Sequence, residues 1–314
     1  ILLISALIVV IFAHAPIILS RNHIVADPIN LKPAMKVIKE IGIFDLDRDK
    51  VKRWDHEANQ IFHPFADAPF PQVRTISESD FFNCDIFVFC VSIGVPPVGQ
   101  EGDDVRLAQL TGNARIVNTY AQIARKRDFP GIFAVVSDPV DLLCRSALTA
   151  SNKDEKGEKD YRGLAPEQIR GFGLGVMNAR ATYYAEKIGK GKEYRLEGRA
   201  YGPHGEGLVV ANSIENYDDA LSRHLTDKAC EANMELRSLG FKPYIAPALS
   251  SGALALLALM EGKWHYSATF MGGIFMGAKN RLTPAGTELE RLPLPDPLIN
   301  RLEETYTLLG RYQM

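Results

Sequence analysis

Apolar residues fall into two rhythms along this chain. "EIGIFDLD" (40–47), "CDIFVFCVSIG" (84–94) and "GIFAVVSDP" (131–139) are nearly unbroken β-type runs that predict buried strands. "DKVKRWDHEANQIF" (49–62) and "DDVRLAQLTGNARIVNTYAQIARKR" (103–127) repeat their apolar positions every three or four residues and predict amphipathic helices. Strands apolar on both faces, alternating with helices, predict an α/β fold built on a doubly wound parallel sheet. In such sheets ligands bind beyond the carboxyl ends of the strands. Asp45, Ser92, Gly94 and Asp138 all fall at those ends.

The first twenty residues, "ILLISALIVVIFAHAPIILS", are almost wholly apolar. Their length admits a membrane span or a signal sequence. The absence of a basic leading segment, the interruption by His14 and Pro16, and the richness in Ile and Val favour buried strands instead. Past residue 147 the pattern changes. A charged loop at 151–163 leads into "LAPEQIRGF" and "MNARATYYAEKIGK", which predict helical pieces. "YRLEGRAYGPHGEGLVVANS" predicts a strand pair or a strand and loop. Residues 217–240 form a long helical pattern, 265–277 a β-rich one and 297–309 a closing helix. The chain thus divides into residues 1–147, with the sheet, and residues 148–314, a mixed α+β domain.

At 314 residues and 46% apolar, the chain has material for two cores. A net charge of −2 with scattered Lys and Arg excludes a nucleic-acid binder and a polybasic membrane patch. The four cysteines lack metal-ligand spacing and predict reduced thiols in a cytoplasmic protein, with no metal site.

Several residues carry candidate chemistry. His204 lies in "GPHGEG", where glycines allow close approach of a ligand and imidazole titrates in the range of acid–base work. "GVPPVGQEGDDVR" (94–106) has the make-up of an active-site lid, ending in Arg106, a residue able to polarise a carbonyl. Arg180, in "GFGLGVMNAR", is suited to a bidentate pair with a carboxylate. Asp45 is suited to a ribose diol, and Asp141 to capping the helix "LLCRSAL". Taken singly, each has a bland reading: Asp45 as a helix cap, Arg106 as a surface arginine, Arg180 as an interface ion pair, His204 as a structural histidine.

In order, these segments resemble the lactate/malate dehydrogenase family of NAD-dependent 2-hydroxy-acid dehydrogenases, from about residue 40 onward. "VVSDPVDLL" stands where that family has Asn-Pro-Val-Asp, "GFGLGVMNAR" where it has a Leu-Asp-x-Ala-Arg segment, and "YGPHGEG" where it has Gly-x-His-Gly. The resemblance implies a Rossmann-type first domain binding NAD through Asp45, Ser92 and Gly94, followed by a catalytic domain. It implies that His204 donates and accepts the proton, Arg106 polarises the C2 oxygen and Arg180 clamps the substrate carboxylate. It also implies a homodimer or homotetramer acting on a small 2-oxo or 2-hydroxy acid. Gln100, with Asp103 and Asp104, disfavours a second carboxylate, so a monocarboxylic, lactate-like acid is expected rather than malate.

Three departures qualify the resemblance. No glycine precedes Gly42, so the GxGxxG phosphate turn is missing. The family's histidine-orienting aspartate falls on Met177. The family asparagine is Asp138 here. Asp138 is therefore expected to replace the missing partner of His204. The alternative is a degenerate relative that binds a small anionic ligand or a partner without hydride chemistry.

Overall fold

A computed structural model describes residues 17–21, 38–60, 71–93, 109–240 and 246–312. The apolar runs become β2 (Ile38–Ile43), β4 (Ile86–Phe89) and β5 (Ile132–Val135), joined by β1 (Ile17–Arg21), β3 (Gln72–Thr75) and β6 (Ile169–Gly171). The helical patterns become α1 (Arg48–Asn59), α2 (Leu110–Lys126) and α3 (Val140–Ser151). Asp47 starts α1 by accepting the Asp49 and Lys50 N–H groups at 3.1 and 3.3 Å, which satisfies two donors that the first helical turn leaves open.

These strands lie in the order β3-β2-β1-β4-β5-β6, the doubly wound arrangement expected. β2 pairs parallel with β3, β4 with β5, and β5 with β6. The expectation of a wholly parallel sheet is corrected at β1, which runs antiparallel to both of its neighbours. Ile17, its first residue, pairs with Ile43 and Val88 near the carboxyl ends of β2 and β4.

The second half adds α4 (Leu174–Lys187), α5 (Gly191–Glu197), the hairpin β7 (Arg199–Tyr201) and β8 (Val209–Ala211), and α6 (Asp219–Ser238). It closes with α7 (Ala246–Met260), β9 (His265–Phe270), β10 (Phe275–Thr283), β11 (Gly286–Leu289) and α8 (Asp296–Arg311). β9 pairs with β6, so β9, β10 and β11 extend the first sheet to nine strands among the described residues. Residue 147 itself lies inside α3. "LAPEQIRGF" is not helical beyond a 3₁₀ turn at Pro166–Gln168. Ile169, fully buried, enters β6 between β5 and β9, where strand pairing overrides the local pattern.

Both sheet faces are covered. Phe87, Phe89, Phe133 and Val135, all fully buried, pack with Val117, Ala121 and Ala124 of α2 and Leu143 and Ala147 of α3. Each such Phe contributes about 1.5–3 kcal/mol by leaving water. Ile41, Ile43, Val88 and Ala134 share the other cluster with Val51 of α1 and with Leu256, Leu257 and Met260 of α7. The sequence "APALSSGALALLALM" of α7 is apolar nearly all round, as a helix buried between layers must be. A third cluster, centred on Met177, Ala181 and Ala185 of α4 with Leu225 and Ala229 of α6, forms the helical half.

Candidate active site

Asp138 follows β5 at the carboxyl edge of the sheet, just before α3. Its backbone is held there by Asn113 of α2, whose side chain is fully buried. The Asn113 amide donates to the Asp138 carbonyl at 2.7 Å, and its oxygen accepts the Ile93 N–H at 2.9 Å. One side chain thus joins the segments leaving β4 and β5. Sequence reading missed Asn113; its signal was an amide in a helix interior otherwise patterned for packing.

His204 sits in the tight connection between β7 and β8. Gly202 and Gly207 both adopt φ +87°, a region costly for side chains with a Cβ. The loop is docked on three elements. The Gly202 N–H donates to the Gly277 carbonyl of β10 at 2.9 Å, and Thr305 of α8 donates to the Gly207 carbonyl at 2.8 Å. A Cβ at Gly173, which precedes α4, would lie 2.7 Å from the His204 Cβ. His204 is 8% exposed, and its Nδ1 stands 2.8 Å from Asp138 Oδ1. The residues are 66 apart in sequence and share one hydrogen bond.

An ionised Asp138 accepts from Nδ1–H, which leaves Nε2 as the face for a reacting proton and favours the imidazolium form. Met177 is fully buried in the apolar cluster of α4 and α6. A carboxylate meets His204 at Asp138, on the β5–α3 turn, rather than from α4.

Arg180 lies one helical turn beyond Met177. Its Nη2 donates to Asn233 Oδ1 at 2.8 Å and its Nη1 to the Ala229 carbonyl at 3.3 Å, so α6 sets the plane of the guanidinium. A cavity of about 30 Å³ borders His204, Asp141, Glu206 and Tyr312; its lining does not include Arg180. Asp45 follows β2, and its Oδ1 accepts the Asp47 N–H at 2.9 Å. The cap of α1 is Asp47, not Asp45. Ser92 follows β4 at the same edge as Asp138. Gly94, Gln100 and Arg106 lie outside the described residues.

Asp141 is corrected from the expected helix cap. It occupies the first turn of α3 without capping it, and is 4% exposed. Burial pushes its carboxyl up to about 7, against the N–H groups it faces and with repulsion from Asp138 adding to the rise. Among the described residues no group of three or more His, Cys, Asp or Glu is arranged to hold a metal ion.

Comparison with known proteins places this arrangement. No family model matches the chain. An L-lactate dehydrogenase of Mesomycoplasma hyopneumoniae (strain 232) is 27% identical over 175 residues, 55% of this chain and 50% of that protein. L-lactate dehydrogenase 2 of Staphylococcus aureus (strain JH9) is 26% identical over 182 residues, covering 57% and 51%. Over that stretch the chain is similar in sequence to L-lactate dehydrogenases. It spans about half the length of the curated relatives it matches. The fold agrees over a greater length. The ligand-bound minor L-lactate dehydrogenase of Enterococcus mundtii superposes with a TM-score of 0.66 at 18% identity, covering 87% of this chain and 88% of that one. Malate dehydrogenase of Archaeoglobus fulgidus, in complex with NADH, gives 0.61 at 18% identity, covering 83% and 84%.

The described residues would suit a dinucleotide at one end only. Asp45 and Ser92 stand at the carboxyl edge, where they would give polar contacts to a bound nucleotide. β1 does not fit the pyrophosphate. Its reversed direction puts Ile17, rather than its last residue, at the carboxyl edge, and Arg21 beside Ile38 at the opposite edge, whereas a phosphate turn needs the strand to end at the carboxyl edge.

Proposed function

We propose that this chain is an NAD-using oxidoreductase of small 2-oxo and 2-hydroxy acids, with His204 as the group that exchanges a proton with the C2 oxygen. The observation that carries this reading is the 2.8 Å contact of His204 with Asp138 at the carboxyl edge of a sheet ordered 3-2-1-4-5-6. Reduction of a ketone builds negative charge on oxygen, and an imidazolium hydrogen-bonded to a carboxylate neutralises that charge by giving up its Nε2 proton. Asp138 positions the ring and favours its charged form. Arg180, its plane set by Asn233 and Ala229, is the candidate partner for the substrate carboxylate. The cofactor's chemistry is a hydride at C2; no step here depends on how the chain holds it. Arg106 as the carbonyl-polarising group, and Gln100 as a contact favouring a monocarboxylic, lactate-like acid, are assigned from the family resemblance and the loop sequence. A homodimer or homotetramer in the cytoplasm belongs to the same proposal. Among the described residues, no helix is long and apolar enough to cross a membrane.

The direction of β1 favours a second reading, a relative that keeps the acid-binding site and has lost hydride chemistry. One experiment separates the two. NADH fluorescence is titrated with the protein, and NADH oxidation is then followed with pyruvate and with oxaloacetate. Binding with turnover that His204→Ala abolishes supports the oxidoreductase. Absence of binding at millimolar NADH overturns it and leaves the second reading.

A further inference from the structure

Asp138 and His204 meet through one hydrogen bond, yet the last helix ties their elements together by a second route. Thr305 of α8 is 4% exposed, and its hydroxyl donates to the Gly207 carbonyl at 2.8 Å. Its Cγ2 lies 3.4 Å from where a Cβ would sit at Gly202 and 3.5 Å from where one would sit at Gly207. One side chain therefore packs on both ends of the His204 loop, at the two glycines whose φ of +87° makes the turn.

α8 is fixed in turn to α3, the helix that begins at Val140, just after Asp138. Arg145 of α3 donates through Nη1 to the Leu309 carbonyl at 3.2 Å and to the Tyr312 carbonyl at 2.8 Å. Carbonyls at a helix C-terminus have no partner inside the helix, and the helix dipole favours a cation there. Leu309, one helical turn beyond Thr305, shares a buried cluster with Leu142 of α3. A cavity of about 30 Å³ marks where the three pieces meet, lined by Pro139, Asp141, His204, Glu206, Leu309 and Tyr312.

These contacts close a circuit. It runs from Asp138 into α3, through Arg145 to α8, through Thr305 to the His204 loop, and back by the 2.8 Å bond of His204 to Asp138. In a closed circuit the loop and the β5–α3 turn shift together or not at all. Such outer support holds a reactive side chain within the narrow range that proton exchange needs.

We propose that α8 is a strut that keeps His204 at Asp138, with Thr305 and Arg145 as its two positioning residues. The inference rests on the reading of His204 as the proton-exchanging group. Both residues act through the backbone of the loop and of α8, and neither touches a reacting atom.

The test is an NMR titration of the His204 ring in the full chain labelled at histidine. Asp138, Asp141, Glu206, Cys230 and Tyr312 are the titratable groups around the ring and its loop, and none of them is substituted. Thr305→Val keeps the branched shape and removes the hydroxyl; Arg145→Met removes the donor. In each the His204 midpoint is expected to fall by about half a unit or more, because a ring less well held at Asp138 loses part of the carboxylate's support. Losing the Arg145 charge alone would raise the midpoint, so a fall reports position rather than charge. Arg145→Lys keeps a charged donor and is expected to recover most of the fall. The double variant is expected to fall no further than the larger single change, since either cut opens the circuit.

Unchanged midpoints in the single variants overturn the proposal, as do a rise in Arg145→Met and additive falls in the double variant. Where a variant fails to fold, the unsubstituted protein decides. Nuclear Overhauser contacts from the Thr305 methyl to the α protons of both Gly202 and Gly207 are expected, and their absence overturns the proposal. Turnover with pyruvate is read separately. An inactive protein whose variants titrate as expected defeats the oxidoreductase reading and leaves the strut standing; an active one with unmoved midpoints does the reverse.

Discussion

Asn113 donates a 2.7 Å hydrogen bond to the main-chain carbonyl of Asp138, and so locates the carboxylate that orients His204. Asn113→Ala removes this bond and leaves the part-buried Ile93 N–H and Asp138 carbonyl without that partner. The expected cost is about 1–3 kcal/mol in a urea unfolding curve, with a lower kcat/KM for 2-oxo acids because Asp138 is less well placed. Stability lost with kcat/KM unchanged would show that the link has no part in the site.

Asp138→Asn keeps the shape of the side chain but presents an amide to Nδ1, which disfavours both the correct tautomer and the imidazolium. The fall in kcat is expected to be on the order of 10²–10⁴-fold, with a shifted pH–rate profile. Met177→Leu is the contrast. Met177 is fully buried in an apolar cluster, with only its sulfur meeting a polar group, Arg180 Nη1 at 3.7 Å, so the substitution is expected to cost under about 1.5 kcal/mol and to leave the pH profile in place. Equal effects from the two variants would remove the distinction drawn between the residues.

Arg180 makes its bonds to α6 through two different nitrogens. Asn233→Ala frees the guanidinium from its 2.8 Å partner, and is expected to raise KM for pyruvate about tenfold with kcat nearly unchanged. Arg180→Lys, which lacks the planar fork, is expected to raise KM further. Steady-state kinetics on both variants check this; a change confined to kcat would place Arg180 elsewhere in the reaction.

His265 predicts a pH dependence of stability unrelated to the site. It is buried, with Nδ1 donating to the Lys263 carbonyl at 2.9 Å and Nε2 3.1 Å from the Ser267 hydroxyl. Burial lowers its pKa from 6.5 to about 4, so the folded protein holds the ring neutral where the unfolded chain protonates it. Its contribution is fully present above pH 6.5 and declines as pH falls toward 4, by about 3 kcal/mol in all. Urea midpoints from pH 7.5 down to 4.5 measure this. The part of the slope due to His265 should be absent in His265→Gln.

Much of the fold was legible because its signals are local. The unbroken apolar runs at 84–94 and 131–139 became β4 and β5, and the amphipathic stretches at 49–62 and 217–240 became α1 and α6. Strand and helix differ in the spacing of their apolar positions, and that spacing is carried by neighbours in sequence. α7 escaped notice because a helix buried on most sides has no polar face to mark its period. "LAPEQIRGF" misled because a three-residue strand draws its stability from β5 and β9, not from its own residues.

The sequence by itself determined the α/β alternation, the identity of the charged candidates, and the placing of a methionine at 177 and a carboxylate at Asp138. Only the tertiary structure decided that Asp138 meets His204, that α6 takes hold of Arg180, that Asp141 turns inward, and that β1 runs against its neighbours. The physical reason is range. Periodicity and side-chain chemistry reside in neighbouring residues, whereas strand direction and a contact across 66 residues depend on how whole elements pack.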